Sequence, residues 1–248
     1  MTDTVVRDSS RLATAKAILF DLDGVLTPTV DVHMRAWARL FTDYFAAHGA
    51  APYTEDDYYL HIDGKPRVDG VRSVLASRGL SLPEGEADDP AGESTVWALG
   101  NRKNDAFAAE LAEDGIAAYP GSLEFLTAAI AAGYEVAVVS SSRNAEPVLA
   151  AAGIRDRFTV IVDGLRSAAE GLQGKPSPAT YQRAAELLGL TPSECVVIED
   201  AHSGVQAGRD GDFGLVVGVD RGVGAQELLD SGADVVVDDL DELVPFLR

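Results

Sequence analysis

Residues 17–27 read Ala-Ile-Leu-Phe-Asp-Leu-Asp-Gly-Val-Leu-Thr, and the fold of the whole chain turns on them. Four apolar residues, Ala17 to Phe20, run straight into Asp21, Asp23 and Gly24. A short apolar run that ends abruptly in charge reads as a buried strand delivering its last residues to a surface crevice. Open α/β sheets take ligands at the carboxyl ends of their strands. If the strand stops at Asp21, carboxylates at i and i+2 both reach that edge, and Gly24 supplies a sharp turn without a Cβ penalty. Such a pair can hold a hard divalent cation through oxygen. Alternatively, one carboxylate attacks a phosphoryl group while the other moves a proton. For a bare Asp-x-Asp a polar turn after a strand is the plainer alternative. An EF-hand loop is excluded, because its fifth, sixth and twelfth positions hold Val25, Leu26 and Val32 instead of an acidic residue or Asn, a Gly and a Glu.

The formal net charge of the 248 residues is -20, from 40 acidic and 20 basic side chains. Nucleic acid and anionic membranes both demand a basic surface, so neither is expected as a partner. Apolar residues make up 46 % of the chain, enough for a sizeable core in one large domain or one domain with an insert. Cys195 is the single cysteine, which rules out an intrachain disulfide and fits a reducing compartment. It precedes Val196-Val197-Ile198 and reads as a small buried hydrophobe. The polar start, MTDTVVRDSSRL, has no apolar core and reads as neither a signal peptide nor a membrane span. The expectation is a cytoplasmic protein whose residues 1–13 form a disordered leader.

From Pro28 onward the pattern turns helical. Val32, Ala36, Leu40 and Tyr44 recur at four-residue spacing beside Trp37 and Phe41, the apolar stripe of an amphipathic helix. Residues 29–116 read as helix, loop, helix, loop, helix, with Leu82–Gly92 an exposed loop rich in breakers. Strands and helices then alternate. The expected strands are Glu135–Val139, Phe158–Val162, Cys195–Ile198, Leu215–Val219 and Val235–Val237. The helices between them are expected at 122–132, 145–152, 178–188, 205–210 and 225–229. This series implies a parallel sheet covered on both faces. Residues 14–28 and 117–248 then form an α/β core, and 29–116 an all-α cap inserted after the first strand, over the sheet's carboxyl edge.

Three further strand ends carry polar groups. Ser140-Ser141-Ser142-Arg143-Asn144 supplies hydroxyls and amides at a strand-to-helix junction, suited to a phosphate or to plain N-capping. In Gly174-Lys175-Pro176 the proline allows the lysine to be aimed. Glu199-Asp200 repeats the logic of Asp21 and Asp23. Four carboxylates on neighbouring strands would repel one another without a cation.

In this order and spacing DLDGVLT, SSSRN, GKPSP and VIEDAHSGVQA resemble the four motifs of the haloacid dehalogenase superfamily, over nearly the whole chain. Within it the chain resembles the β-phosphoglucomutase-like subfamily, since VDVHMRAW, DGKPRVDGV and GNRKND extend the likeness into the helical block. Departures are Pro28 after DLDGVLT, Arg143 where that subfamily carries a lysine, GKPSPAT for the more usual GKPAPD, and a segment 163–174 that looks longer than in that subfamily.

The resemblance implies a Rossmann-like parallel sheet with a small helical cap, and a Mg2+-dependent enzyme. Its reaction would run through an aspartyl phosphate on a small phosphorylated sugar, in a protein expected to be monomeric. Asp21 would be the nucleophile and Asp23 the general acid/base, while Ser140 and Lys175 bind the phosphoryl oxygens. Asp21, Asp23 through its backbone carbonyl, Glu199 and Asp200 would form the metal site. His33, Arg67, Lys103, Ser141, Arg143 and Asn144 would face the substrate. The implied reaction is that of a β-phosphoglucomutase, from β-glucose 1-phosphate to glucose 6-phosphate. The alternative is a sugar- or polyol-phosphate phosphatase.

Overall fold

A computed structural model describes residues 10–63 and 65–248. Six strands, β1 (Ala17–Phe20), β2 (Glu135–Val139), β3 (Val160–Val162), β4 (Cys195–Glu199), β5 (Leu215–Val219) and β6 (Val235–Val237), form one sheet. All its pairings are parallel, in the order β3-β2-β1-β4-β5-β6. The order reverses between β1 and β4, and in open α/β sheets ligands bind at such a reversal, outside the strands' carboxyl ends. Register brings Phe20 opposite both Val138 and Ile198. The residues that follow β1, β2 and β4 therefore leave the sheet at the same edge.

The chain divides into two compact units, one running up to Pro28 and again over Ala117–Arg248, the other over Thr29–Ile116. The helices of the first are α1 (Ser10–Thr14), α6 (Pro120–Ala131), α7 (Ala145–Ala151), α8 (Gly164–Glu170), α9 (Ala179–Leu187), α10 (His202–Asp210) and α11 (Ala225–Ser231). The second holds α2 (Thr29–His48), α3 (Glu55–His61), α4 (Arg67–Ser77) and α5 (Val96–Asp114).

Successive strand side chains point to opposite faces, and both faces of β1 are buried. Ala17 and Leu19 pack with Tyr181 and Ala184 of α9 and Val205 of α10. On the other face the Phe20 ring meets Phe125 of α6 and Phe158 edge-on, at 6.1 and 6.2 Å between centroids. This double covering is why β1 reads as an unbroken apolar run.

Three expectations need correction. Residues 10–13 are not a disordered leader, since they belong to α1. Leu12 is wholly buried, its carbonyl accepts from the Tyr134 hydroxyl at 3.0 Å, and Arg11 binds the Gly214 carbonyl and Asp234. Residues 1–9 lie outside the described residues. β3 begins at Val160 instead of Phe158, because Arg155–Arg157 forms a 3-10 turn and Phe158 turns in beside Phe20. Among the described residues the second unit has four helices instead of three. The extra one, α3, is held at its start by the Asp57 carboxylate, which accepts from the Thr54 amide at 2.8 Å and hydroxyl at 3.1 Å.

The helical unit has its own core of Trp37, Phe41, Tyr44, Phe45, Val71, Leu75 and Leu99. Trp37, Phe45 and Tyr53 each stack on Phe41. At its edge Arg78 forms a bidentate pair with the buried Asp57. Burial pushes the Asp57 carboxyl up, but hydrogen bonds from Arg78 and Thr54 outweigh it and hold the group below its ordinary value. A depressed carboxyl contributes stability that is present above the unfolded value, near pH 4, and is lost as pH falls through the folded one. Removing one partner of a buried pair costs about 3–5 kcal/mol. Asp57→Asn is therefore expected to lower the melting temperature at pH 7. The gap to the parent should close as melts are taken below about pH 4.

Candidate active site

β1 ends at Phe20, and the amide of Asp21 still donates to the Ile198 carbonyl of β4 at 2.9 Å. The last ladder bond thus carries Asp21 to the sheet edge, where it is 7 % exposed. Lys175, in the loop before α9, is buried beside it. Its ammonium donates to Asp21 Oδ1, to Glu199 Oε1 and to the Val139 carbonyl at 3.1 Å. An ammonium has three donors, and all are used.

Burial lifts the Asp21 carboxyl well above its ordinary value, with Glu199 and Asp23 adding to the rise and Lys175 opposing it. Burial acts downward on Lys175, yet the two carboxylates overcome it and keep the ammonium charged beyond its usual range. Lys175 is thus a fixed positive charge against the carboxylate it touches.

Glu199 is the last residue of β4 and is 1 % exposed. Its Oε1 accepts from Lys175 and, at 3.0 Å, from the Tyr181 hydroxyl. Its Oε2 accepts from the amides of Asp200 and Ala201 at 3.0 and 3.1 Å. A carboxylate offers about four acceptor positions, so this network accounts for them. One oxygen each of Asp21, Glu199 and Asp200 lies within 4.8 Å of the other two. Three buried carboxylates against one lysine leave an excess of negative charge, and hard oxygen donors suit Mg2+. With its acceptor positions taken, Glu199 adds charge behind Asp21 and Asp200, and these donors fit the implied cation.

The Asp23 carboxylate lies apart from this trio, with Ser140 Oγ donating to its Oδ2 at 3.4 Å. Ser140 follows β2, is buried, and also accepts from the Ser142 amide at 3.0 Å. Ser141, Arg143 and Asn144 continue the same loop into α7, half-buried. The 163–174 segment supports this loop: Gly164 at the start of α8 donates to the Ser142 carbonyl at 2.9 Å and backs against Ser141 and Arg143.

Among the expected substrate residues of the helical unit, Lys103 is 2 % exposed. Its ammonium meets His33 Nδ1 at 2.5 Å and lies over the rings of Trp37 and Phe107, 5.1 and 4.9 Å from their centroids. Lysine can only donate, so Nδ1 is the acceptor and the ring proton sits on Nε2. Arg67, the first residue of α4, donates to Asn101 Oδ1 at 2.8 Å. Asn101 in turn donates to the Asp89 carbonyl at 2.8 Å, tying Arg67 to the exposed loop. Trp37 is packing within this unit. His202 bonds the Ser231 hydroxyl. Cys195 is buried, and burial and the Glu194 charge push its thiol up to about 12, so it is not a nucleophile.

Tyr181 and Asn101 were not among the residues singled out in the sequence. The glycine after Asp23 was, and its geometry is exacting. Gly24 has φ +89°, and a Cβ there would lie 1.8 Å from Asp200 Oδ2. Gly24→Ala combines backbone strain with displacement of Asp200. It is expected to destabilise by about 1–3 kcal/mol, as read from thermal melts.

A family model for haloacid dehalogenase-like hydrolases matches residues 15–212. The β-phosphoglucomutase of Mycobacterium tuberculosis is 49 % identical over 240 residues, covering 92 % of this chain and 91 % of that protein. Hexitol phosphatase A of Escherichia coli is 32 % identical over 197 residues, 78 % of each. The crystal structure of β-phosphoglucomutase from Clostridium difficile superposes with a TM-score of 0.74 at 27 % identity, covering 92 % of this chain and 93 % of that one.

Proposed function

This chain belongs to the haloacid dehalogenase-like hydrolases, as an enzyme of phosphomutase or phosphatase type, and we propose that it is a β-phosphoglucomutase acting on a small phosphorylated sugar. Phosphoryl transfer is supported by one arrangement above all: Asp21 at the sheet edge, held by Lys175 and grouped with Glu199 and Asp200. The likeness to a mutase over 92 % of the chain favours a sugar hydroxyl, instead of water, as acceptor.

In this reading Asp21 attacks phosphorus in line, an oxygen–phosphorus bond forms on Asp21, and the bond to the sugar oxygen breaks. Asp23 gives its proton to that leaving oxygen, then takes one from the acceptor hydroxyl in the second half-reaction. Lys175 and Ser140 would exchange a present acceptor for the phosphoryl oxygens, where charge must be balanced. Asp21, Asp200 and the Asp23 backbone carbonyl, backed by Glu199, would hold Mg2+. When bound, the ion supplies positive charge against the transferring group. Arg67, Lys103 and His33 would bind the sugar and its remote phosphate, and Ser141, Arg143 and Asn144 the near one. The phosphatase alternative draws on the hexitol phosphatase likeness.

Phosphorus NMR with Mg2+, β-glucose 1-phosphate and a trace of glucose 1,6-bisphosphate separates these readings. Glucose 6-phosphate accumulating only when the bisphosphate is present is the expected result. Inorganic phosphate without the isomer would replace the mutase with the phosphatase.

A further inference from the structure

Arg221 stands in the loop after β5 and engages four partners. Nε donates to the Gly24 carbonyl at 3.0 Å, Nη1 to the Asp238 carbonyl at 3.0 Å, and Nη2 pairs with Asp239 Oδ1 at 2.9 Å. The guanidinium carbon lies 4.0 Å from the centroid of the Tyr119 ring.

Gly24 directly follows Asp23 in the turn that runs from Leu22 to Thr27. The next carbonyls of that turn are also held from outside: Ser122 Oγ donates to Val25 at 2.6 Å, and the Tyr119 amide to Leu26 at 3.0 Å. Within the turn, the amides of Leu26 and Thr27 both donate to the Leu22 carbonyl. Arg221 therefore grips the turn at the residue adjacent to Asp23. It does so with a planar fork whose donors have fixed directions.

A proton donor must lie within hydrogen-bond reach of the leaving oxygen, and a misplacement of about 1 Å can cost about 100-fold. We infer that Arg221 is a positioning residue for Asp23: by fixing the Gly24 carbonyl it keeps the Asp23 carboxyl where a leaving oxygen can take its proton. This rests on the reading of Asp23 as general acid. In the step concerned, an Asp21 oxygen–phosphorus bond forms and the phosphorus–oxygen bond to the leaving group breaks. The proton passes from Asp23 to that oxygen, leaving Asp23 as a carboxylate.

Leaving-group dependence tests it. Single-turnover phosphorylation of the full chain with Mg2+ is measured from glucose 1,6-bisphosphate, whose leaving alkoxide needs a proton, and from acetyl phosphate, whose leaving carboxylate does not. Arg221→Lys keeps the charge and loses the fork. It is expected to slow transfer from the bisphosphate by about 10–100-fold, part of the roughly 10²–10⁴ that general acid catalysis contributes. Transfer from acetyl phosphate should change by less than about threefold. Asp23→Asn is run alongside and is expected to slow the bisphosphate reaction selectively. If Asp23→Asn is selective while Arg221→Lys slows both donors equally, or neither, Arg221 does not position Asp23. If Asp23→Asn slows both donors equally, the general-acid reading falls and takes the Arg221 assignment with it. Should Arg221→Lys not fold, Asp239→Asn removes the charge opposite Nη2 and is judged by the same ratio.

Discussion

Asp21→Asn is expected to reduce turnover by about 10⁴-fold or more while leaving the fold intact. In the proposed mechanism Asp21 is the nucleophile, and knocking out such a group has effects of that size, because the remaining groups act only around the bond it would form. The amide matches the carboxylate in shape and still offers Oδ1 to the Lys175 ammonium, which keeps its bonds to Val139 and Glu199. Burial makes the Asp21 charge unfavourable, so without Mg2+ the variant should melt no lower than the parent. Initial rates with β-glucose 1-phosphate, paired with thermal melts, check both halves. A folded variant turning over at the parental rate would remove Asp21 from the mechanism.

Lys175→Met should damage both activity and stability. The ammonium is the cation shared by Asp21 and Glu199, and all three groups are buried. Without it two carboxylates face each other out of water, and breaking such a buried pair costs about 3–5 kcal/mol. The variant can relieve this by binding a proton, which raises a folded-state carboxyl above its unfolded value. A raised carboxyl destabilises the fold once pH exceeds the unfolded value, near 4, and has no effect well below it. The melting-temperature deficit should therefore be large at pH 7 and shrink toward pH 4. In the proposed mechanism this lysine also faces the phosphoryl oxygens, and its loss should separately slow turnover by about 10²–10³-fold or more. A deficit that does not vary with pH would mean the lysine is not the counter-charge of this cluster.

Much of the sheet was legible because its physics is local. β1, β2, β4, β5 and β6 are buried apolar runs with sharp polar or glycine ends. The short α3 and α8 were hidden for the opposite reason. The sequence EDDYYLH has no apolar stripe, and GLRSAAE buries none of its side chains; capping at Thr54 and Asp163 and a left-handed Gly171 define them instead. In the site, acidic residues at strand ends announce themselves, whereas their supports do not. Tyr181 occupies an apolar position on α9 and reads as core, yet its hydroxyl reaches a carboxylate on β4. Arg221 sits in a glycine-rich loop, and the carbonyl it holds is 197 residues away. Such partners are set by sheet order, which no local pattern encodes.

That order also governs how the protein comes into being. Ala17 pairs with Glu135 on one side and Cys195 on the other, so the strand bearing Asp21 is made early and completed late. Closing chain loops of that length before any pairing is gained slows folding. During synthesis, residues 29–116 form a continuous segment with its own aromatic core and can fold while β1 waits. Until β4 is released from the ribosome, β1 has an open edge and a full complement of apolar side chains, the features that invite pairing with another chain. The central strand of the finished enzyme is thus a liability at birth, and aggregation of nascent chains should be most acute for those ending before β4.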